Sequence, residues 1–188
     1  MKDKIKNIIK SSIDVKKTLF EKEIPNIERA ISAIQKCIRE GGKLLIFGNG
    51  GSAADSQHIA GELMGRFKKD RRPLPAIALT TNTSTITAIG NDYGYDLIFA
   101  RQLEGIAKKG DIAIGISTSG NAKNVNEAIS KAKEMELVTV GFTGSKSGEL
   151  GKNAGLVLKV PSNDTPRIQE MHITVGHIIC ELVEEILC

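Results

Sequence analysis

At 188 residues the chain can bury one full hydrophobic core without disulfide or metal staples, and it is short for two domains. Its formal charge of +4 comes from 26 Lys and Arg against 22 Asp and Glu, with no Trp, two Tyr and five Phe. Nucleic-acid recognition concentrates cations on one face and adds stacking aromatics, so that class is set aside; the one basic cluster, Lys68, Lys69, Arg71 and Arg72, reads as a solvated turn after a helix.

The opening MKDKIKNIIKSSIDVKK lacks the apolar stretch and cleavage site of a signal peptide, and no later run approaches the roughly 20 apolar residues that span a bilayer. The expectation is a cytoplasmic protein with no membrane partner. Cys37, Cys180 and Cys188 have no close pair and no ligand spacing, which fits a reducing compartment.

From residue 3 to about 40, Ile5, Ile8, Ile9, Ile13, Leu19, Phe20, Ile24, Ile27, Ile31, Ile34 and Ile38 recur three or four apart between Lys and Glu. That period predicts an amphipathic hairpin or bent helix, with Pro25 starting the second segment. It carries more apolar surface than a small sheet can cover, which points to self-association.

After Gly41-Gly42 short apolar runs alternate with helical stretches. Strands are predicted at 43–47, 75–79, 111–116, 137–142 and 156–160. Helices are predicted at about 53–67, as a short segment before Gly90, at 97–108, 124–136 and 165–187. Strands with few charges separated by helices imply an α/β fold: a five-stranded parallel sheet covered on both faces, a three-layer sandwich preceded by the N-terminal helical hairpin. Ligands of such sheets bind in the crevice beyond the strands' carboxyl ends.

Two loops fall at such ends. Ser117-Thr-Ser-Gly-Asn-Ala122 follows the third strand and precedes a helix. Its three hydroxyls, its glycine and the free amides of the helix start form a neutral cradle for a phosphate dianion, although Ser and Asn at helix starts are also ordinary caps. Gly48-Asn-Gly-Gly-Ser52 holds the corresponding place after the first strand, where Ser52 can donate to the same anion and Asn49 can reach substrate hydroxyls. This loop lacks the dinucleotide glycine spacing, the second strand ends without a ribose-binding acid, and no nucleoside-triphosphate loop is present.

His58 and Glu62 are four apart, on one helix face; Gln169 and His177 are eight apart, again on one face. Two helices each presenting such a pair could make a four-coordinate N/O site, a donor set suited to zinc with nickel, cobalt and iron as alternatives, although spacing alone does not complete that inference. By spacing alone an i,i+4 His/Glu pair is more often a surface ion pair. Glu62 is the natural general base, and His177, whose unperturbed pKa lies near 6.5, the natural acid. If both are tight ligands, either coordination loosens in turnover or Glu62 works through its second oxygen. His172 points elsewhere and reads as structural.

On Gly48-Asn-Gly-Gly-Ser-Ala-Ala-Asp-Ser-Gln-His58 through Glu62, Ala88-Ile-Gly-Asn-Asp92, Ser117-Thr-Ser-Gly-Asn121 and Gln169-Glu-Met-His-Ile-Thr-Val-Gly-His177, the chain closely resembles the phosphoheptose isomerases of the wider sugar-isomerase (SIS) domain family, over nearly its whole length. The resemblance implies a single flavodoxin-like SIS domain over 1–188, with 1–40 as a helical oligomerisation segment of a homotetramer whose sites are completed by neighbouring subunits. It implies one Zn2+ per subunit on His58, Glu62, Gln169 and His177, with Glu62 and His177 as base and acid. Substrate contacts implied are Asn49, Gly50, Gly51, Ser52, Glu62, Asn91, Asp92, Ser117, Thr118, Ser119 and Gln169. The implied reaction converts D-sedoheptulose 7-phosphate to D-glycero-D-manno-heptose 7-phosphate, the first step toward nucleotide-activated heptoses for lipopolysaccharide core or capsule. Where many relatives carry a serine after Ser-Gly-Asn, this chain has Ala122, a lost hydroxyl that weakens the phosphate grip or is offset by Ser52 or Lys123.

Three rivals share the scaffold. A non-catalytic SIS protein that binds the bacterial replication initiator is not expected to keep all four ligand positions, which are filled here. A sugar-phosphate-sensing domain of a transcription regulator would need a helix-turn-helix that residues 1–40 do not offer. An isomerase for a pentose or hexose phosphate shares the phosphate-fixing loops and differs only in loop geometry.

Overall fold

The computed structural model describes all residues, 1–188. Two helices lead, α1 (Lys2–Lys22) and α2 (Ile24–Arg39), joined at the single residue Glu23, with Pro25 in the first turn of α2, where its missing N–H costs nothing. There follow β1 (Leu44–Gly48), α3 (Gly51–Met64), β2 (Ala76–Ala78), α4 (Thr83–Tyr93), α5 (Ala100–Ile106), β3 (Ile112–Ile116), α6 (Lys123–Glu134), β4 (Val138–Thr143), α7 (Gly148–Asn153), β5 (Leu156–Lys159) and α8 (Thr165–Leu187). No helix is long and apolar enough to cross a membrane.

All strand pairs are parallel, in the order β2-β1-β3-β4-β5. This is the flavodoxin-like arrangement, in which the connection after β1 runs to one side and that after β3 to the other, opening a crevice between the carboxyl ends of β1 and β3. Every residue of β1 and β3 is buried, because side chains that alternate across the sheet meet helices on both faces. Leu44 and Ile46 join the core with α2, α3 and α8, while Leu45 and Phe47 join α5, α6 and α7. Phe47 stacks on Phe99 with ring centroids 5.3 Å apart; full burial of such a side chain contributes roughly 1.5–3 kcal/mol.

The differences from the expected elements have local causes. β2 is three residues long rather than five, as an edge strand entered through Pro75, which has no N–H to donate. Helix α5 starts later than expected because residues 95–97 form a 3-10 turn after Gly94, at φ 90°. Helix α7 was not expected: it has six residues, two of them glycine, and buries only Leu150, too little for a periodic signal.

Candidate active site

The crevice is built from the two loops that leave β1 and β3. Asn49, just past β1, exchanges two hydrogen bonds with Asn124 in the first turn of α6: Asn49 Nδ2 donates to Asn124 Oδ1 at 2.8 Å, and Asn124 Nδ2 donates to Asn49 Oδ1 at 2.9 Å. Tyr95 Oη donates to the same Asn49 oxygen at 3.2 Å. The asparagine expected to reach substrate hydroxyls thus ties the two loops together. A side chain at Gly51 would lie 2.4 Å from Gln169 Nε2, so this glycine admits Gln169 of α8 against the start of α3. Ser52 is buried beside it.

In the second loop Ser117 is buried at the strand end, while Thr118, Ser119 and Asn121 line an open cavity of about 320 Å³ with Ser145, Lys146 and Thr165. Residues 117–122 are themselves uncharged, and the exposed Lys146 adds a cation to the same cavity. Its loop, between β4 and α7, has no sequence motif to betray it. The loop's shape depends on Gly120, at φ 70°: a Cβ there would sit 1.8 Å from Ser147 O, a backbone approach only glycine permits. Ala122 is the N-cap of α6 and offers no side-chain acceptor.

About two turns further along α3, His58 Nε2 lies 3.1 Å from Glu62 Oε1 and 3.3 Å from His177 Nε2 of α8. The candidate ligand atoms of these three residues all fall within 4.8 Å of one another. Two ligands on a tetrahedral cation at the zinc–imidazole distance of about 2.0–2.1 Å stand about 3.3–3.4 Å apart, so the nitrogen separation fits a shared zinc-sized ion. Gln169, on the same face of α8, precedes His177 by about 12 Å of helix rise. His58 is half exposed, and Phe67 backs His177 with ring centroids 5.6 Å apart.

Asn91 and Asp92 lie exposed in the last turn of α4 and hydrogen-bond each other at 2.8 Å; no hydrogen bond links them to the other candidates. His172 is structural, as read: it is buried against Phe142, 5.7 Å between ring centroids, with Nε2 3.2 Å from Thr143 O. Burial pushes its pKa down to about 4, opposed by the Thr143 contact.

A family model described as SIS domain matches residues 9–144. The phosphoheptose isomerase of Aquifex aeolicus is 52% identical over 188 residues, covering 100% of this chain and 98% of that one. The chain belongs to the phosphoheptose isomerase family. Solved phosphoheptose isomerase structures from Neisseria gonorrhoeae and Francisella tularensis are each 37% identical, with TM-scores of 0.93 and 0.94 and coverage of 98% and 97% of both chains. The match to phosphoheptose isomerases therefore extends through the N-terminal helices as well as the sheet.

Within this phosphoheptose isomerase fold two features of the site escaped the sequence reading. Asp55, one turn before His58, has a buried carboxylate oxygen with no hydrogen-bond partner; burial raises its pKa, against the pull of His58. Its place three residues before a candidate ligand was the available signal. Arg71, read as part of a solvated turn, has a side chain only 3% exposed and pairs with Glu184 at 2.9 Å, which corrects that reading for Arg71. Lys68 and Lys69 are exposed, as expected.

Proposed function

We infer that this chain interconverts D-sedoheptulose 7-phosphate and D-glycero-D-manno-heptose 7-phosphate through an enediol, the entry step of nucleotide-activated heptose synthesis. The observation that carries the reading is the convergence of His58, Glu62 and His177 from two helices distant in sequence. The Thr118–Ser119 loop at the end of the neighbouring strand is the proposed anchor for the phosphate.

The proposed ligands of a zinc ion are His58, Glu62, Gln169 and His177. Bound there, zinc supplies a Lewis acid that polarises the substrate carbonyl. With coordination loosened in turnover, or with Glu62 working through its second oxygen, Glu62 takes a proton from C1 of the open-chain ketose as His177 gives one to the C2 oxygen, and the C1–C2 double bond of the enediol forms. The reverse transfers then return a proton to C2 and withdraw one from the C1 hydroxyl, leaving the aldehyde. Protons and electrons balance within the sugar, so no redox partner enters. Thr118, Ser119 and Lys146, with the α6 amides, hold the phosphate and fix which carbons face Glu62. Asn49, Gly50, Gly51, Ser52, Asn91, Asp92 and Ser117 complete the proposed substrate contacts.

The proposed working form is a cytoplasmic homotetramer of one-domain subunits, with residues 1–40 as the assembling segment. Exposed Ile5, Ile8, Ile9, Ile13 and Phe20 support it, as does an apolar groove of about 400 Å³ between α1, α2 and α8, lined by Phe20, Ile24, Ile178 and Leu182 among others. The half-exposed His58 leaves a wall for a neighbour to supply.

The test is a product assay on sedoheptulose 7-phosphate by NMR. An aldoheptose phosphate should form, disappear after chelation and return with zinc. Turnover of a pentose or hexose phosphate in preference would overturn the substrate, and chelator-resistant turnover would overturn the metal.

A further inference from the structure

The segment between α3 and β2 is held by one buried ion pair. Glu184, 1% exposed, lies seven residues after His177 on α8, two turns along the same face. Its Oε1 accepts from Phe67 N at 3.1 Å and Arg71 Nε at 2.9 Å, and its Oε2 from Lys68 N at 2.7 Å and Lys69 N at 3.0 Å. Arg71 in turn donates through Nη1 to Leu63 O at 2.7 Å and Gly65 O at 3.2 Å, and through Nη2 to Glu62 O at 3.0 Å. These are carbonyls at the end of α3, which the helix itself leaves without partners. One guanidinium therefore caps the helix that carries His58 and Glu62, and the carboxylate that neutralises it sits on the helix that carries His177.

We propose that Arg71 and Glu184 are positioning residues that set the separation of His58 and Glu62 from His177, and with it the affinity of the site for its cation. The proposal rests on the metal reading given above. Two linkages carry it. Arg71 bonds to the carbonyl of Glu62 itself, so the backbone of one candidate ligand is fixed directly. Glu184 holds the amide of Phe67, whose ring packs on the imidazole of His177, so the other helix's ligand is braced by the same carboxylate. Burial acts to raise the Glu184 pKa, yet the three amides and Arg71 outweigh it and hold the carboxyl at about 2, which keeps the brace charged across the physiological range. A lysine at 71 would preserve the charge but not the planar fork that reaches the carbonyls of Glu62, Leu63, Gly65 and Arg72 and the Glu184 carboxylate at once.

The test compares wild type, Arg71→Lys and Phe67→Leu, each stripped by dialysis against a chelator. Zinc is titrated against a chromophoric competitor, and kcat and KM are then measured at saturating zinc. Arg71→Lys should raise the zinc Kd by about 10-fold or more, the scale on which outer-shell partners act. It should also lower kcat by about 10-fold and leave KM within about 2-fold, since the phosphate loop is untouched. Phe67→Leu, with the ion pair intact, should move Kd and kcat the same way by less. A folded Arg71→Lys protein with a lower Tm but wild-type zinc Kd and kcat would reduce the pair to a structural staple and overturn the proposal. Should Arg71→Lys fail to fold, unchanged Kd and kcat in Phe67→Leu would overturn it equally. Wild type that binds no zinc would instead remove the metal reading on which the proposal stands.

Discussion

His172 and His177 stand five residues apart on α8 and meet opposite fates. The helical period turns them to different sides: His177 meets His58 at the crevice, and His172 packs into the core, 1% exposed, with Nδ1 unpartnered. Burial holds His172 neutral, its pKa pushed down to about 4 from 6.5. The unfolded chain then binds a proton between these values that the folded chain refuses, so stability falls as pH drops through 6.5 and levels off near 4. The slope is about 1.4 kcal/mol per pH unit inside that window. Urea unfolding at pH 7 and pH 5 should show a loss in wild type that His172→Gln lacks; equal losses in both proteins would assign the pH dependence elsewhere. Spacing was enough to separate the two histidines in the sequence. Nothing in the spacing marked Arg71, because a cation that caps a helix and pairs with a carboxylate more than a hundred residues later looks like any other basic turn residue until the tertiary fold brings them together.

At the scale of elements, the long periodic segments were the legible ones. Helix α8 runs over Thr165–Leu187 as its pattern predicted, and all five strands fall where the apolar runs placed them. What escaped was short or set by backbone approach, and the β4–α7 connection is both. There Ser147, at φ 59°, turns its carbonyl against Gly120 of the Ser/Thr-rich loop, and Leu150 N donates to Gly120 O at 2.9 Å. The Ser/Thr-rich loop, the proposed phosphate anchor, is thus braced by a neighbour with no sequence motif of its own. Gly120→Ala would combine positive-φ strain with a backbone clash and should cost about 3 kcal/mol, with KM for the sugar phosphate rising more than kcat falls. A melting temperature and KM matching wild type would show that the loop has another way to relax.

For the whole molecule, the sheet order puts the loops after β1 and β3 side by side at the point where the topology reverses, and the layer holding α3 and α8 brings His58 and Glu62 within reach of His177. Periodicity put each pair on one helix face, and the meeting expected of the two faces is found for His58, Glu62 and His177. The unpartnered apolar stripe of α1 is the remaining surface with an expected partner, a second copy of the chain. Ile9→Asp with Phe20→Asp should give a smaller species by light scattering, with reduced kcat if the proposed neighbour completes the site; an unchanged assembly would move the interface off α1.

The most direct measurement is kcat of Glu62→Gln on sedoheptulose 7-phosphate with zinc saturating and the fold checked by circular dichroism. Removing the proposed base should cost at least about 100-fold. Turnover at the wild-type rate would contradict the account, however well the rest of the fold agreed.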